Sequence, residues 1–141
     1  MIGVSDKEGV VAKDKKRWLS EPEPHDYTAA ADYLSLIFRS ETVEAVVAAL
    51  RDAALVQRQA KDLLRASQLP LLPRKDAEVA KDLDKVKEGE KLSPILVVRG
   101  DGASNRPLIV ADGYHRICAS YHLDEDAEIP CQIAGLPASE V

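Results

Sequence analysis

The chain has 141 residues, of which 45% are hydrophobic and 30% are charged, and its formal net charge is −5 at pH 7. A chain of this length suits one domain that buries its own core without disulfides or a structural metal. The acidic balance argues against a broad nucleic-acid interface, because proteins that bind nucleic acids usually present a basic face.

The cysteines and the N-terminus suggest a compartment. The sequence contains only two cysteines, fewer than a small secreted scaffold usually carries. The first residues contain no apolar run of signal-peptide length, and no other segment is apolar over the length of a membrane helix. We therefore expect a cytoplasmic protein without membrane contact.

The first half of the chain is predicted to be an arm followed by helices. Residues 1–24 are polar and end in two closely spaced prolines, so we expect a flexible N-terminal arm that is anchored at most by Trp18 and Leu19. Residues 25–69 carry apolar side chains at helical spacing, with Ser40 as a cap and a run over 55–64 that either forms a third helix or continues the second. This segment is interpreted as a helical extension that covers an α/β core.

The second half, residues 70–141, has the pattern of a small α/β domain. Asp76 is a predicted cap for a helix over residues 77–88, and Gly89 is a predicted stop. Short continuous apolar runs that are typical of buried strands follow this helix. The predicted strands are residues 94–98, 107–110 and 129–133, and a helix over 114–122 lies between the second strand and the third.

The turn between the second predicted strand and its helix, Asp112-Gly113-Tyr114-His115-Arg116, is the segment best suited to chemistry. Amide N–H groups at a helix start are unpaired and carry partial positive charge, and a glycine lets a ligand approach the backbone. Arg116 adds a guanidinium whose paired donors match phosphate oxygens. The pattern predicts an anion site. The alternative that stays open is a structural helix start in which Arg116 pairs with an acidic neighbour.

In its order of helix, strands and turn, the segment 77–134 resembles the ParB/sulfiredoxin superfamily. Its Asp-Gly-Tyr-His-Arg turn is closest to the Asp-Gly-His-His-Arg of ParB-related free-serine kinases, whereas sulfiredoxins carry Gly-Gly-Cys-His-Arg there. The resemblance implies an α/β (α+β) fold with a small mixed sheet and flanking helices. It also implies that the turn binds the phosphates of a nucleotide such as ATP, ADP or CTP with Mg²⁺. The predicted ligand-binding residues are Asp112, Gly113, Tyr114, His115 and Arg116, joined by Arg99 from the preceding loop.

The chain departs from the superfamily at one important position. Tyr114 stands where a sulfiredoxin has its nucleophilic cysteine, so sulfinic acid reduction is not expected. Kinase-type relatives need an acidic residue that accepts a hydroxyl proton, and Glu78 or Asp76 is the candidate here, together with His115 at the turn. The structural alternative is that Asp76 only caps its helix and Glu78 only favours the helix dipole.

The predicted function is therefore the binding of a nucleotide or another phosphorylated ligand, with a phosphotransferase or nucleotidase activity as the chemistry that the resemblance implies. A second hypothesis is a catalytically inactive adaptor that binds a protein partner through the helices of residues 26–66. A DNA-binding or nuclease module is disfavoured, because the chain is acidic and shows no basic recognition helix. No metal site is predicted, since His115, Cys118 and His122 match no common zinc spacing.

Overall fold

Four short strands form the sheet at the centre of the fold, within the residues 17–140 that this computed structural model describes. The sheet is mixed: β2 runs parallel to β4, whereas β1 is antiparallel to β4 and β3 is antiparallel to β2. The order across the sheet is β1-β4-β2-β3, and the predicted α+β class is confirmed. The strands are β1 (Val56–Gln59), β2 (Ile95–Val98), β3 (Ile109–Asp112) and β4 (Glu128–Ala134).

Five α-helices flank the sheet in the described part of the chain, and none of them is long and apolar enough to cross a membrane. The first begins with Pro24, at a helix position where the missing N–H of proline costs no hydrogen bond. The helices are α1 (Pro24–Leu34), α2 (Ser40–Asp52), α3 (Ala60–Ser67), α4 (Ala77–Lys87) and α5 (Tyr114–Leu123), and a short 3-10 turn covers Ala138–Glu140.

The central strand β2 explains why helices cover both faces of the sheet. All four of its residues are buried, as expected from the continuous apolar run. Ile95 and Val97 pack in one core with residues of α3, α4 and α5. Leu96 and Val98 point to the opposite face and pack in a second core with residues of α1 and α2.

The helical extension predicted over residues 25–69 is only partly present: α1 and α2 cover one face of the sheet as expected, but the segment also contributes a strand. Val56–Gln59, expected within a helical run, forms the edge strand β1 and pairs with residues 128–131 of β4. Strand pairing here overrides a weak helical pattern, because local propensity yields to tertiary hydrogen bonding and packing. The helices before and after β1 cover opposite faces of the same sheet, so the boundary predicted at residue 69 lies inside a shared core.

Residues 1–16 of the predicted arm lie outside the described residues, and its last part is anchored at Trp18 and Leu19, the two positions expected to anchor it. The Trp18 side chain is buried. Leu92 holds this segment through its backbone: its N–H donates to the Arg17 carbonyl (2.7 Å), and its carbonyl accepts from the Leu19 N–H (2.8 Å). The chain thus enters the fold as an ordered segment beside β2 before α1 begins at Pro24.

Candidate anion site

The turn between β3 and α5 requires glycine at its centre. β3 ends at Asp112, and Gly113 has a φ of +117°, a conformation that side chains rarely adopt. A Cβ atom at residue 113 would lie 2.4 Å from Cγ2 of Ile95. The glycine therefore lets the turn pack directly against the central strand, in addition to leaving the backbone open to a ligand.

Among residues 17–140, no side chain caps the start of α5 by accepting a hydrogen bond from its first-turn amides. The first bond of the helix runs from the Ile117 N–H to the Gly113 carbonyl at 3.0 Å. Tyr114 and His115 are only partly buried there. Backbone donors at the positive end of a helix, next to a partly exposed imidazole, form the kind of site that binds phosphate.

Arg116 has internal acidic partners. Its Nη2 lies 2.7 Å from Oδ2 of Asp112, and its Nη1 lies 4.0 Å from Oδ1 of Asp26. Nη2 is also 3.5 Å from the Pro94 carbonyl oxygen, while Nε is buried and has no hydrogen-bond partner among residues 17–140. The structural alternative for Arg116, pairing with an acidic neighbour, is therefore the arrangement that the structure contains.

Asp26 is a member of this cluster that sequence reasoning missed. It comes from the first turn of α1, is 2% exposed, and accepts a hydrogen bond from the Glu23 N–H at 2.8 Å. The three-residue spacing of Glu23 and Asp26 before an apolar stripe is a helix-start signal, but it does not reveal a contact with residue 116. Only the packing of α1 beside β3 brings the two together.

The two carboxyl groups next to Arg116 influence one another. Burial raises the pKa of Asp112, the charge and hydrogen bond of Arg116 lower it, and the charge and hydrogen bond of Asp26 raise it again. The net direction is upward. Two acidic groups that share one cation in a poorly hydrated place explain this direction, since the second negative charge has no counter-ion of its own.

Asp82 on α4 is a second acidic residue that sequence reasoning missed. Burial raises its pKa, while the charges of Arg116, Lys85 and His115 lower it, so its carboxyl group lies within the electrostatic influence of the turn. The predicted proton acceptor Glu78 lies one helical turn earlier and is exposed.

Asp76 serves as the helix cap that the sequence predicted. Its Oδ1 accepts hydrogen bonds from the amides of Glu78 and Val79, each at 3.1 Å. The structural role of Asp76 at the start of α4 is thus confirmed, and its catalytic role stays a prediction.

Tyr114 reaches away from the open amides of the turn. Its hydroxyl donates to the carbonyl oxygen of Pro70 at 2.5 Å. Two turns along the same helix, Nε2 of His122 bonds to the Leu72 carbonyl oxygen at 2.7 Å, and Arg74 donates to the His122 carbonyl oxygen at 2.6 Å. This side of α5 therefore holds the loop before α4, while the Tyr114 ring lies 5.5 Å from the ring of His115.

Arg99 does not belong to the site, contrary to the prediction. It follows β2 at the end where Val98 pairs with Ile109, whereas the turn follows the opposite end, where Leu96 pairs with Asp112. From Ile95, which touches the turn, to Arg99 the chain covers four residues, or about 13 Å of extended strand. The sequence contains no register between strands, so this separation was not visible from the loop alone.

The start of α1 holds a group of potential metal ligands. Glu23, His25 and Asp26 each offer one donor atom, and these atoms lie within 4.8 Å of one another. The Arg116 guanidinium is beside Asp26, and the positive end of the α1 dipole points to the same place. Both features oppose a cation, and we assign no metal site to these residues.

Comparisons of the chain with protein-family models, with curated proteins and with solved structures found no match. The likeness to the ParB/sulfiredoxin superfamily thus depends on the turn motif and on the order of elements.

Proposed function

We propose that the chain binds the phosphate group of a nucleotide at the N-terminus of α5. The observation that supports this function best is the uncapped helix start, which follows Gly113 at a φ of +117°. His115 is partly exposed in the same turn and can donate a further hydrogen bond to an anion. Helix starts of this kind bind phosphate through backbone amides and the helix dipole.

The charges around the turn favour a nucleotide that carries a divalent cation. Asp26 and Asp112 flank the guanidinium of Arg116, and Asp82 lies within its electrostatic influence, so a bare phosphate would meet net negative charge. Mg²⁺ bound to the nucleotide offsets that repulsion. We therefore propose ATP, ADP or CTP with Mg²⁺ as the ligand, in line with the resemblance to free-serine kinases.

Phosphoryl transfer is a further part of this proposal. Such a reaction needs a group that takes the proton of the attacking hydroxyl, and a base with a raised pKa performs this best near neutral pH. Asp82 fits this role better than Glu78 or Asp76, because burial raises its pKa and the charges of Arg116 and His115 act on it. Asp76 is engaged as a cap, and Glu78 is exposed to solvent.

The proposed ligand is tested by thermal unfolding with each nucleotide, with and without Mg²⁺. A ligand at a hundred times its dissociation constant stabilises the folded state by about 2.7 kcal/mol, which raises the melting temperature visibly. His115→Ala should weaken binding by roughly tenfold, as expected for a lost hydrogen bond to a charged group. Arg39→Ala is the control, since Arg39 is an exposed cation that follows the far end of α1.

Arg116→Ala is a poor probe of binding, because Arg116 has internal partners. Its removal leaves the Asp112 and Asp26 carboxyl groups without their cation, and breaking a buried pair costs about 3–5 kcal/mol of stability. A lower melting temperature of this variant would therefore report the fold and not the ligand. The absence of any nucleotide effect on the wild-type chain would contradict the proposed function.

An adaptor is the second candidate, and one surface favours it. Tyr33, Leu36 and Ile37, at the junction of α1 and α2, are 45%, 84% and 48% exposed. Exposed apolar groups that lie together often mark protein contacts. A wild-type chain without a nucleotide response, and a protein partner lost in Leu36→Asp, would favour the adaptor over the nucleotide site.

A further inference from the structure

Two carboxyl groups from different elements share a single guanidinium beneath the α5 turn. Asp112, the last residue of β3, lies 2.7 Å from Arg116, and Asp26, in the first turn of α1, lies 4.0 Å from it. The Asp26 side chain is 3% exposed, while those of Asp112 and Arg116 are 17% exposed. One guanidinium serves both acidic groups. Since the Glu23 N–H and the positive end of α1 also stabilise the buried Asp26, it is the half-buried Asp112 that lacks a further positive charge.

The groups around this pair do not supply the missing positive charge. α1 contributes Glu23 and His25, whose Nε2 lies 3.5 Å from Oδ1 of Asp26. α4 contributes Asp82, and α5 contributes His115. Glu23 and Asp82 add negative charge, and the two histidines add positive charge only when they are protonated.

A proton is the simplest counter-ion for such a pair. Burying an unpaired charge is so costly that an acidic group usually binds a proton instead. Two neighbouring carboxyl groups rarely ionise together, and they then titrate as one coupled unit.

We propose that, in the pair that Asp112 forms with Asp26, Asp112 binds a proton under the control of Arg116, so that capture of Arg116 by a bound phosphate is accompanied by proton uptake. In this step a phosphate oxygen replaces Oδ2 of Asp112 as the acceptor of the Arg116 Nη2 hydrogen bond. Asp112 then accepts a proton from solvent. The pair itself is independent of the ligand, whereas the coupling rests on the function proposed above.

The electrostatics of Asp112 agree with this assignment. Burial raises its pKa, the neighbouring Asp26 raises it as well, and Arg116 is the group that lowers it. When Arg116 turns to a ligand, only the two raising influences remain. The pair should therefore hold its proton over a wider pH range in the complex than in the ligand-free protein.

The first experiment needs no ligand and follows the side-chain carboxyl carbons of the aspartates by NMR over a pH series. Asp112 should titrate above the ordinary range of aspartate. Asp26→Asn should move this titration down, and Arg116→Gln should move it up. Asp32→Asn, an exposed position on the same helix, is the matched control and should leave it unchanged. If Asp112 titrates in the ordinary range of aspartate and its titration is the same in Asp26→Asn, the proposed pairing of the two residues is wrong.

The second experiment measures the heat of Mg²⁺–ATP binding in buffers of different ionisation enthalpy. Wild type should take up protons on binding, and Asp112→Asn should lose that uptake, whatever its affinity. Subtracting the proton uptake of Asp112→Asn from that of wild type cancels the protons that the nucleotide itself exchanges. Binding with equal proton exchange in both would overturn the coupling. If Mg²⁺–ATP does not bind at all, the nucleotide proposal fails for ATP and the coupling fails with it, while the titration still decides the pair.

Discussion

Gly113 joins the backbone geometry of the turn to the packing of the core. Its positive φ sets the direction of α5, and its missing side chain lets Ile95 of the central strand lie against the turn. Any larger residue would push the start of α5 away from β2, and with it the open amides. The position of the proposed phosphate site therefore depends on one residue that could not bind a ligand through a side chain.

We expect Gly113→Ala to destabilise the fold strongly. The positive φ costs about 1–2 kcal/mol for a residue with a Cβ. The clash with Ile95 adds about 1–3 kcal/mol, a typical cost of overpacking. Gly89→Ala is the control, because Gly89 has a φ of +81° and a Cβ at residue 89 would meet no atom within 4 Å. Urea unfolding that gives equal losses for both variants would show that Ile95 does not confine the turn.

Asp82 should make stability depend on pH. Burial raises its pKa in the folded protein, so the folded state binds more protons than the unfolded chain in mildly acidic solution. This contribution to the unfolding free energy is fully present below the ordinary pKa of aspartate, and it is lost as the pH rises through the raised value.

Asp82→Asn tests this dependence. The variant should gain stability relative to wild type as the pH of a urea titration series rises from about 4, the ordinary aspartate pKa, to neutrality. Asp84→Asn, an exposed position on the same helix, should follow the wild-type profile. If the unfolding free energies of wild type and Asp82→Asn change with pH in parallel, the pKa of Asp82 is not raised in the folded protein.

At the scale of elements, α5 has two roles, and a different part of the helix serves each. Its start presents open amides, and its flank holds the loop before α4 through Tyr114 and His122. The same loop leads to Asp76, which caps α4, and α4 carries Asp82 toward the turn. The loop thus fixes the distance between α5 and the acidic residue that faces it.

Tyr114→Phe should loosen this loop without displacing α5. The lost hydrogen bond to Pro70 is worth about 0.5–1.5 kcal/mol. Hydrogen exchange at the amides of residues 69–75 should therefore become faster. Tyr121→Phe is the matched control, since the Tyr121 hydroxyl makes no hydrogen bond to any residue in 17–140. Unchanged exchange in Tyr114→Phe would mean that Pro70 is held by packing alone.

Most elements of the second half of the chain were predictable from the sequence. The continuous apolar run before Arg99 indicated β2, the Asp76 cap indicated the start of α4, and the Gly113 turn indicated the start of α5. β1 was missed, because Val56–Gln59 has no apolar alternation and becomes a strand through its pairing with β4. Local patterns carry information on helix starts and buried strands, but not on an edge strand that depends on a distant partner.

At the scale of the whole molecule, tertiary packing explains why some site residues could not be predicted from the sequence. The turn itself was visible in the sequence, whereas Asp26 and Asp82 approach it from α1 and α4, on opposite faces of the sheet. Arg99, by contrast, is closer to the turn in sequence, but it follows the end of β2 that lies away from the turn. Tertiary packing sets these distances, and a single sequence contains no direct signal for them.

The overall charge leads to a prediction about nucleic acid. With 24 acidic and 19 basic residues, the chain repels a polyanion at long range. Fluorescence anisotropy with a labelled random duplex should show no binding near physiological salt. Micromolar affinity with a steep dependence on salt would reveal a local basic surface and contradict this expectation.

The central claim is that phosphate binds at the start of α5, and amide NMR shifts during a nucleotide titration test it most directly. When ATP, ADP or CTP is added with Mg²⁺, at least one should move the amide signals of Gly113, Tyr114, His115 and Arg116 more than those of other residues. His115→Ala should reduce these shifts at equal nucleotide concentration. Amide signals of the turn that stay in place with all three nucleotides, or that move less than those around Leu36, would contradict the claim.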